Sequence, residues 1–253
     1  MNYVLNLFRQ SRSLMRNIPA LIVAVFFSSL IAMNLLANKS IDLNSPYIAL
    51  DAGILFSWVS FFAMDMVIRR FGLKEANILT VVGLLFNLFF ALMFFLASLL
   101  PGMWSSAYVD GSEAIINTAV NEIFAGTWYV ILGSSAAFLV SGICNNLFHF
   151  LLRKAFKKDD GKAFYVASVV SSFIGQLIDN MTFALIVSMH FFGWTFIQCV
   201  TCALTGAALE VVFEVIFAPL AYRLIKKWEK DGVGKAYLDE YHPAKIEAVG
   251  EAK

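Results

Sequence analysis

Hydrophobic residues along this chain fall in long blocks that are almost free of charge. Six blocks cover residues 19–37, 50–68, 77–100, 127–152, 164–189 and 199–222. The hydrocarbon core of a bilayer is about 30 Å thick, and a helix needs about 20 apolar residues to cross it. The pattern therefore predicts an all-α integral membrane protein with six transmembrane helices.

The composition supports this interpretation. Hydrophobic residues make up 60% of the 253 residues and charged residues 15%, whereas soluble domains have about 45–50% and about 25%. The connections between the blocks are too short for a separate soluble domain. We expect a transmembrane domain over residues 1–228 and a mobile, polar cytoplasmic tail over residues 229–253.

The basic residues predict the orientation. Lys and Arg accumulate on the cytoplasmic side of membrane proteins. If both termini are cytoplasmic, every one of the 19 Lys and Arg residues except Lys39 lies on that side. We expect a multi-pass protein of a bacterial inner membrane with the N and C termini in the cytoplasm. The net charge of +1 gives no reason to expect a nucleic-acid partner.

The longest outer connection covers residues 101–126. Its apolar residues recur at helical spacing, at Ala114, Ile115, Ala119, Ile123 and Phe124. This spacing predicts a short amphipathic helix. The helix either caps a transport path or simply lies at the membrane interface.

Acidic residues near the middle of predicted spans are the strongest functional signal. Asp179, Glu210 and Glu214 lie at such positions. An acidic residue at the centre of a transmembrane helix costs about 2.5–3.5 kcal/mol. Such residues mark substrate or ion pathways. We expect these three to have polar partners, to line a water-filled cavity or to be protonated.

Polar residues share faces of the last three predicted spans. Gln176, Asp179, Asn180 and Phe183 follow i, i+3, i+4, i+7 spacing, Glu210 and Glu214 are one turn apart, and Asn145, Asn146 and His149 form a similar row. The pattern predicts one cavity shared by spans four, five and six. The candidate substrate-binding residues are Asp179, Gln176, Glu214, Asn180, Phe183, Asn145, Asn146, Glu210 and Asp65.

Some of these residues have a simpler interpretation. Asn145 and Asn146 are equally suited to hydrogen bonds with a neighbouring helix. Asp65 and Arg69 are spaced for a local ion pair. The pair Cys199 and Cys202 has no second pair to complete a zinc site, so we expect no metal. We also expect no cofactor and no catalytic residue.

Three stretches resemble the signatures of one family. They are LDAGILFSWVSFFAMDMVIRRFG at 50–72, SSFIGQLIDNMTFALIVSMHFFG at 171–193 and EVIFAPLAYRLIKK at 214–227. Together they resemble the second, fifth and last helices of the vitamin uptake transporter (VUT) family, also called queuosine precursor transporters. The six-helix length and the orientation match along nearly the whole chain.

This resemblance implies uptake of 7-deazaguanine precursors of queuosine, such as preQ0, preQ1 or queuine. The family's functional positions correspond to Asp65, Gln176, Asp179, Phe183, Glu214 and Pro219. The chain departs from the family pattern at Asn180, Arg69 and Glu210. The substrate is therefore expected to be a small, planar, purine-like base, and the departures leave open which one.

Three functions fit the sequence. The first is a secondary transporter working by alternating access, since no phosphate-binding G-x-x-x-x-G-K-[ST] loop is present. The second is the substrate-binding subunit of an ATP-driven vitamin importer. The third is an intramembrane enzyme, which three His residues and no H-E-x-x-H motif make the weakest. The sequence leaves open whether a proton or another cation drives transport and whether the protein is a homodimer.

Overall fold

The structure is a computed structural model that describes residues 2–41, 43–45, 47–48, 50–101, 111, 113–125, 128–156 and 160–242. The described chain is almost entirely helical. In chain order its elements are α1 Asn2–Asn17, α2 Ala20–Leu36, β1 Ser40–Ile41, β2 Leu50–Asp51, α3 Ile54–Arg70, α4 Leu73–Leu99, α5 Glu113–Ala125, α6 Trp128–Ala155, α7 Gly161–Phe183, a π-helical turn Ala184–Ser188, α8 Met189–Phe191, α9 Phe196–Lys230 and α10 Lys235–Tyr241.

Four helices are long and apolar enough to cross a membrane. They are α4, α6, α9, and α7 continued through the π turn to Ser188. A fifth span results if α1 and α2, which are bent by 109°, are counted together. The prediction of an all-α membrane protein is confirmed. The count of six spans stays a prediction, because α2 and α3 have only 17 residues each.

Proline separates the first two helices. Pro19 precedes the first residue of α2. Its ring fixes φ and it has no backbone N–H, so it begins a helix more readily than it continues one. The basic, amphipathic α1 therefore forms its own element instead of extending the first span.

A short hairpin precedes α3. Ser40 and Ile41 pair antiparallel with Asp51 and Leu50. The helix was predicted over 50–68, but it begins at Ile54 and ends at Arg70. Residues 50 and 51 have backbone partners in β1, so they are extended and the helix starts after them.

Small residues let α6 and α7 pack closely against their neighbours. A Cβ added to Gly175 of α7 would lie 2.7 Å from the Phe61 ring and 2.9 Å from the Asn145 Cβ. A Cβ at Gly133 of α6 would lie 2.3 Å from Val187. Helices that approach this closely in lipid gain packing contacts without a hydrophobic driving force.

One end of the bundle is rich in basic residues, and we call it the basic end. Here α3 ends at Arg69 and Arg70, and α6 ends with Arg153 and Lys154 in its last turn. The start of α4 and the start of α7 lie at the same end. The opposite end carries the β hairpin.

The chain after α9 packs against the basic end. Tyr237 of α10 is fully buried and packs edge-on against Phe71, with ring centroids 6.0 Å apart. Its hydroxyl donates to Glu75 at 3.1 Å and accepts from Gln10 at 2.8 Å. The predicted tail, 229–253, is described only as far as His242.

The helix expected in the outer connection is present. It is α5, Glu113–Ala125, and Phe124 contacts Phe94 of α4 with ring centroids 4.9 Å apart. Residues 102–110, 112, 126 and 127 of this connection lie outside the described part of the chain.

Candidate functional site

A pocket opens between the hairpin and the helices near the opposite end. Its volume is about 340 Å³, which includes solvent space at its mouth. It is lined by Met33, Asn34, Ala37, Asp51, Gly53, Ile54, Ser57, Ser134, Asp179, Asn180 and Phe183. Residues from α2, α3, α6 and α7 therefore form its wall. Concave sites in which a few polar groups converge are typical of small-molecule binding proteins.

The face of α7 supplies the chemistry of the pocket. Asp179 and Asn180 are half-buried, so both remain accessible, and Phe183 lies one turn further on. The Ser141 hydroxyl of α6 donates to Asp179 Oδ1 at 2.7 Å. This bond orients the carboxylate, which keeps further acceptor capacity for a ligand.

Behind this face lies Glu210 of α9, only 1% exposed. It accepts from the Ser57 hydroxyl and, at 3.2 Å, from the Asn180 amide. Gln176, with its amide nitrogen toward Glu210, donates to it at 3.0 Å and accepts from the Trp58 backbone N–H at 3.3 Å. Glu210 and Gln176 therefore hold Asn180 in place and do not line the pocket themselves.

Asp51 is a pocket residue that the sequence reasoning missed. It lies in β2, outside the helices, and its Oδ1 accepts from the Gly53 N–H at 2.8 Å. Burial raises the pKa of Asp51 to about 6. Its charge also acts on Asp179. An acidic residue just before an apolar run resembles an ordinary interfacial residue, so only the hairpin reveals it.

Hydrogen bonds link a row of polar side chains at the rim of the pocket. Asn34 of α2 donates to Asn87 of α4 at 2.7 Å, and Asn87 donates to Ser135 of α6 at 3.2 Å. Ser134 donates to Asn34. Asn87 therefore links α2, α4 and α6, and Asn34 also lines the pocket.

A second polar cluster lies nearer the basic end, and we call it the inner cluster. It consists of Asp65, Asn145, His149, Ser168 and Glu214, each at most 1% exposed. Asp65 Oδ1 lies 3.0 Å from Asn145 Nδ2 and 3.0 Å from His149 Nδ1. The Ser168 hydroxyl contacts both Asp65 Oδ2 and Glu214 Oε1.

Asn146 faces away from both groups. Its amide donates to Asn77 at 2.8 Å and to Thr80 at 3.2 Å, both on α4. Adjacent helix residues differ in direction by about 100°. Asn145 and Asn146 therefore contact different helices.

The single cavity expected between spans four, five and six is replaced by two separate groups. The α9 side of that expected cavity is closed, because Glu210 and Glu214 are hydrogen-bonded to residues of α3 and α7. The open space lies instead between α7, α6 and the hairpin side of α3. Among the residues that the structure describes, no group of three or more His, Cys, Asp or Glu side chains is placed to hold a metal ion.

The geometry is that of a polar pocket enclosed by long apolar helices, and one known family matches the chain over most of its length. The family described as "Putative vitamin uptake transporter" matches residues 51–224. The chain belongs to this family. The match begins at Asp51 in the hairpin and extends through most of α9. It therefore includes both the pocket carboxylates and the inner cluster of this vitamin uptake transporter.

No curated protein and no solved structure matches the chain. Membership in the vitamin uptake transporter family confirms the resemblance of the three stretches. Together with the apolar helices it identifies a multi-pass membrane protein of a transporter family. Family membership does not assign a substrate to the pocket.

Proposed function

We propose that the protein imports 7-deazaguanine precursors of queuosine across a bacterial inner membrane. The proposal rests on one observation. The Asp179 carboxylate and the Asn180 amide both line the pocket and are both partly exposed. In a vitamin uptake transporter this face is suited to the edge of a planar base.

The chemistry of the base matches these groups. A deazaguanine ring presents an N–H and an exocyclic NH₂ side by side, and a carboxylate offers two acceptor oxygens to such a pair. The Asn180 amide is able to donate to the ring carbonyl. Phe183 supplies an apolar ring at the same level of α7. Asp51 adds a negative charge that would favour bases carrying an aminomethyl cation.

The orientation follows from the charge distribution. The basic end carries Arg69, Arg70, Arg153 and Lys154, which favour the cytoplasmic side. The pocket then faces the outside, where an importer first meets its substrate. Release into the cytoplasm requires the helices to rearrange, as in alternating access.

The test uses purified protein in liposomes and a labelled 7-deazaguanine. We expect the wild type to accumulate or exchange the base without any other protein. The variant Asp179→Asn keeps the shape of the side chain but removes its charge. Because a hydrogen bond to a charged group contributes about 1.5–3 kcal/mol, affinity should fall about 10-fold to 100-fold.

Asp231→Asn is the matched control, since Asp231 is exposed just after α9. It should bind and transport like the wild type. Unchanged affinity in Asp179→Asn would remove that residue from the site. Binding without transport by the protein alone would instead favour the subunit of an ATP-driven importer.

A further inference from the structure

The inner cluster is separate from the pocket along every helix that contributes to both. Ser168 and Asp179 of α7 are about 16 Å apart along the axis. Ser57 and Asp65 of α3 are about 12 Å apart in the same sense. The inner cluster therefore lies deeper toward the basic end and does not contact a base bound at Asp179.

The inner cluster has more acceptors than hydrogens. The Ser168 hydroxyl has one hydrogen but contacts a carboxyl oxygen of Asp65 and one of Glu214. It donates to one of them, and its remaining contact is favourable only if the other carboxyl donates in return. A proton on one of the two carboxyl groups would let both contacts be hydrogen bonds.

The burial of the cluster makes this proton count decisive. Asp65 and His149 are 0% exposed and Glu214 is 1% exposed. If the Asp65 and Glu214 carboxyls were both ionised, two like charges joined through one hydroxyl would repel each other away from water. A proton bound to one of them removes that repulsion.

Two further atoms of the inner cluster have spare hydrogen-bonding capacity. Asn145 Oδ1 and His149 Nε2 are buried and have no hydrogen-bond partner among the described residues. Buried polar atoms normally have such a partner. The Glu214 carboxyl, in contrast, also interacts with the Ser172 hydroxyl.

The surrounding helices define the remaining charges. α3 contributes Arg69 one turn beyond Asp65, and α6 contributes Arg153, whose charge interacts with Asp65. α9 contributes Glu210 one turn from Glu214. α7 contributes the hydroxyls of Ser168 and Ser171, the latter 3.4 Å from His149 Nδ1.

We propose that the inner cluster is the site that binds the proton driving uptake, with Glu214 and Asp65 sharing it through Ser168 and His149 passing it to the basic end. This inference rests on the proposed transport function. In the loading step a proton forms an O–H bond with a Glu214 or Asp65 oxygen. In the release step that bond breaks, and the proton moves by way of the His149 ring to water at the basic end.

Proteoliposomes with a labelled 7-deazaguanine and an internal pH dye test the proposal. The pH difference across the membrane is one unit and stays above the range in which Asp51 titrates. With the membrane potential clamped at zero and one-to-one coupling, the wild type should accumulate the base about tenfold, because one pH unit is a tenfold proton gradient. Adding the base to one side should also move protons in the same direction.

Glu214→Gln should abolish both gradient-driven accumulation and base-driven proton movement, while base exchange without a gradient continues. Ser168→Ala breaks the link between the carboxyls and should shift the midpoint of the pH profile of transport. Glu75→Gln is the matched control, because Glu75 is also fully buried but bonds to Gln10, Tyr237 and His242. It should retain coupling.

The two proposals fail in different ways. If the wild type exchanges the base but does not respond to the pH difference, the proton site is wrong and the transport function stands. The proton site is also wrong if Glu214→Gln and Ser168→Ala both keep wild-type coupling and pH midpoint. No exchange of any deazaguanine by the folded wild type would contradict the transport function itself.

Discussion

Two carboxylates from different kinds of secondary structure line the pocket. Asp179 comes from a transmembrane helix and Asp51 from a two-residue strand. A single sequence reveals the first, because an acid in an apolar helix is costly and conspicuous. It does not reveal the second, because its position depends on how the hairpin folds over the helices.

The raised pKa of Asp51 predicts a pH dependence for cationic substrates. Above about pH 6 the carboxyl is ionised, and below it the carboxyl takes up a proton and loses its charge. Affinity for an aminomethyl-deazaguanine should therefore fall about tenfold as the pH drops through this range, because a charge-assisted bond becomes a neutral one. Isothermal titration at a series of pH values measures this.

Asp51→Asn should bind the cationic base weakly at every pH in that series. A neutral deazaguanine with a nitrile in place of the aminomethyl group serves as the comparison ligand. Its affinity should not depend on the protonation of Asp51. If Asp51→Asn kept the full pH dependence, another group would be responsible.

At the scale of elements, hydropathy predicts helix positions well. Residues 77–100 correspond to α4 Leu73–Leu99, and 127–152 to α6 Trp128–Ala155. Periodicity does not show how each helix is rotated relative to its neighbours. For that reason Asp179, Asn180 and Phe183 line the pocket, whereas Asp65, Asn145 and Glu214 share a different cluster.

Close packing of α7 depends on Gly175. In Gly175→Ala the new Cβ would lie 2.7 Å from Phe61 and 2.9 Å from Asn145 Cβ, so α3 or α6 must move. Overpacking of this kind costs about 1–3 kcal/mol. A lower thermal midpoint of the purified protein in detergent is the expected result. Val170→Ala on the exposed side of α7 is the control, and an equal loss there would contradict the packing argument.

At the scale of the whole molecule, the asymmetry of charge predicts the orientation, while helix lengths leave the span count between four and five. In the sequence, an even number of predicted spans is consistent with both termini lying in the cytoplasm. The short α2 and α3 require a direct measurement.

Single cysteines test this topology in a variant without Cys144, Cys199 and Cys202. Lys39→Cys should react with a membrane-impermeant maleimide added to intact cells, because residue 39 lies beside the hairpin and is exposed. Lys154→Cys at the basic end should react only after the membrane is permeabilised. The reverse pattern would invert the orientation, and with it the direction in which the pocket opens.

The hydrogen bond between Gln10 and Tyr237 joins residues that are 227 positions apart. A ribosome adding about 5–20 residues per second needs about 10–45 seconds to bridge that distance. During the later part of this interval α1 and α4 already exist, but Glu75 lacks the phenol that later donates to it. Each newly made molecule therefore passes through a stage in which the long helices are present and the contacts that Tyr237 makes with Gln10 and Glu75 are still missing.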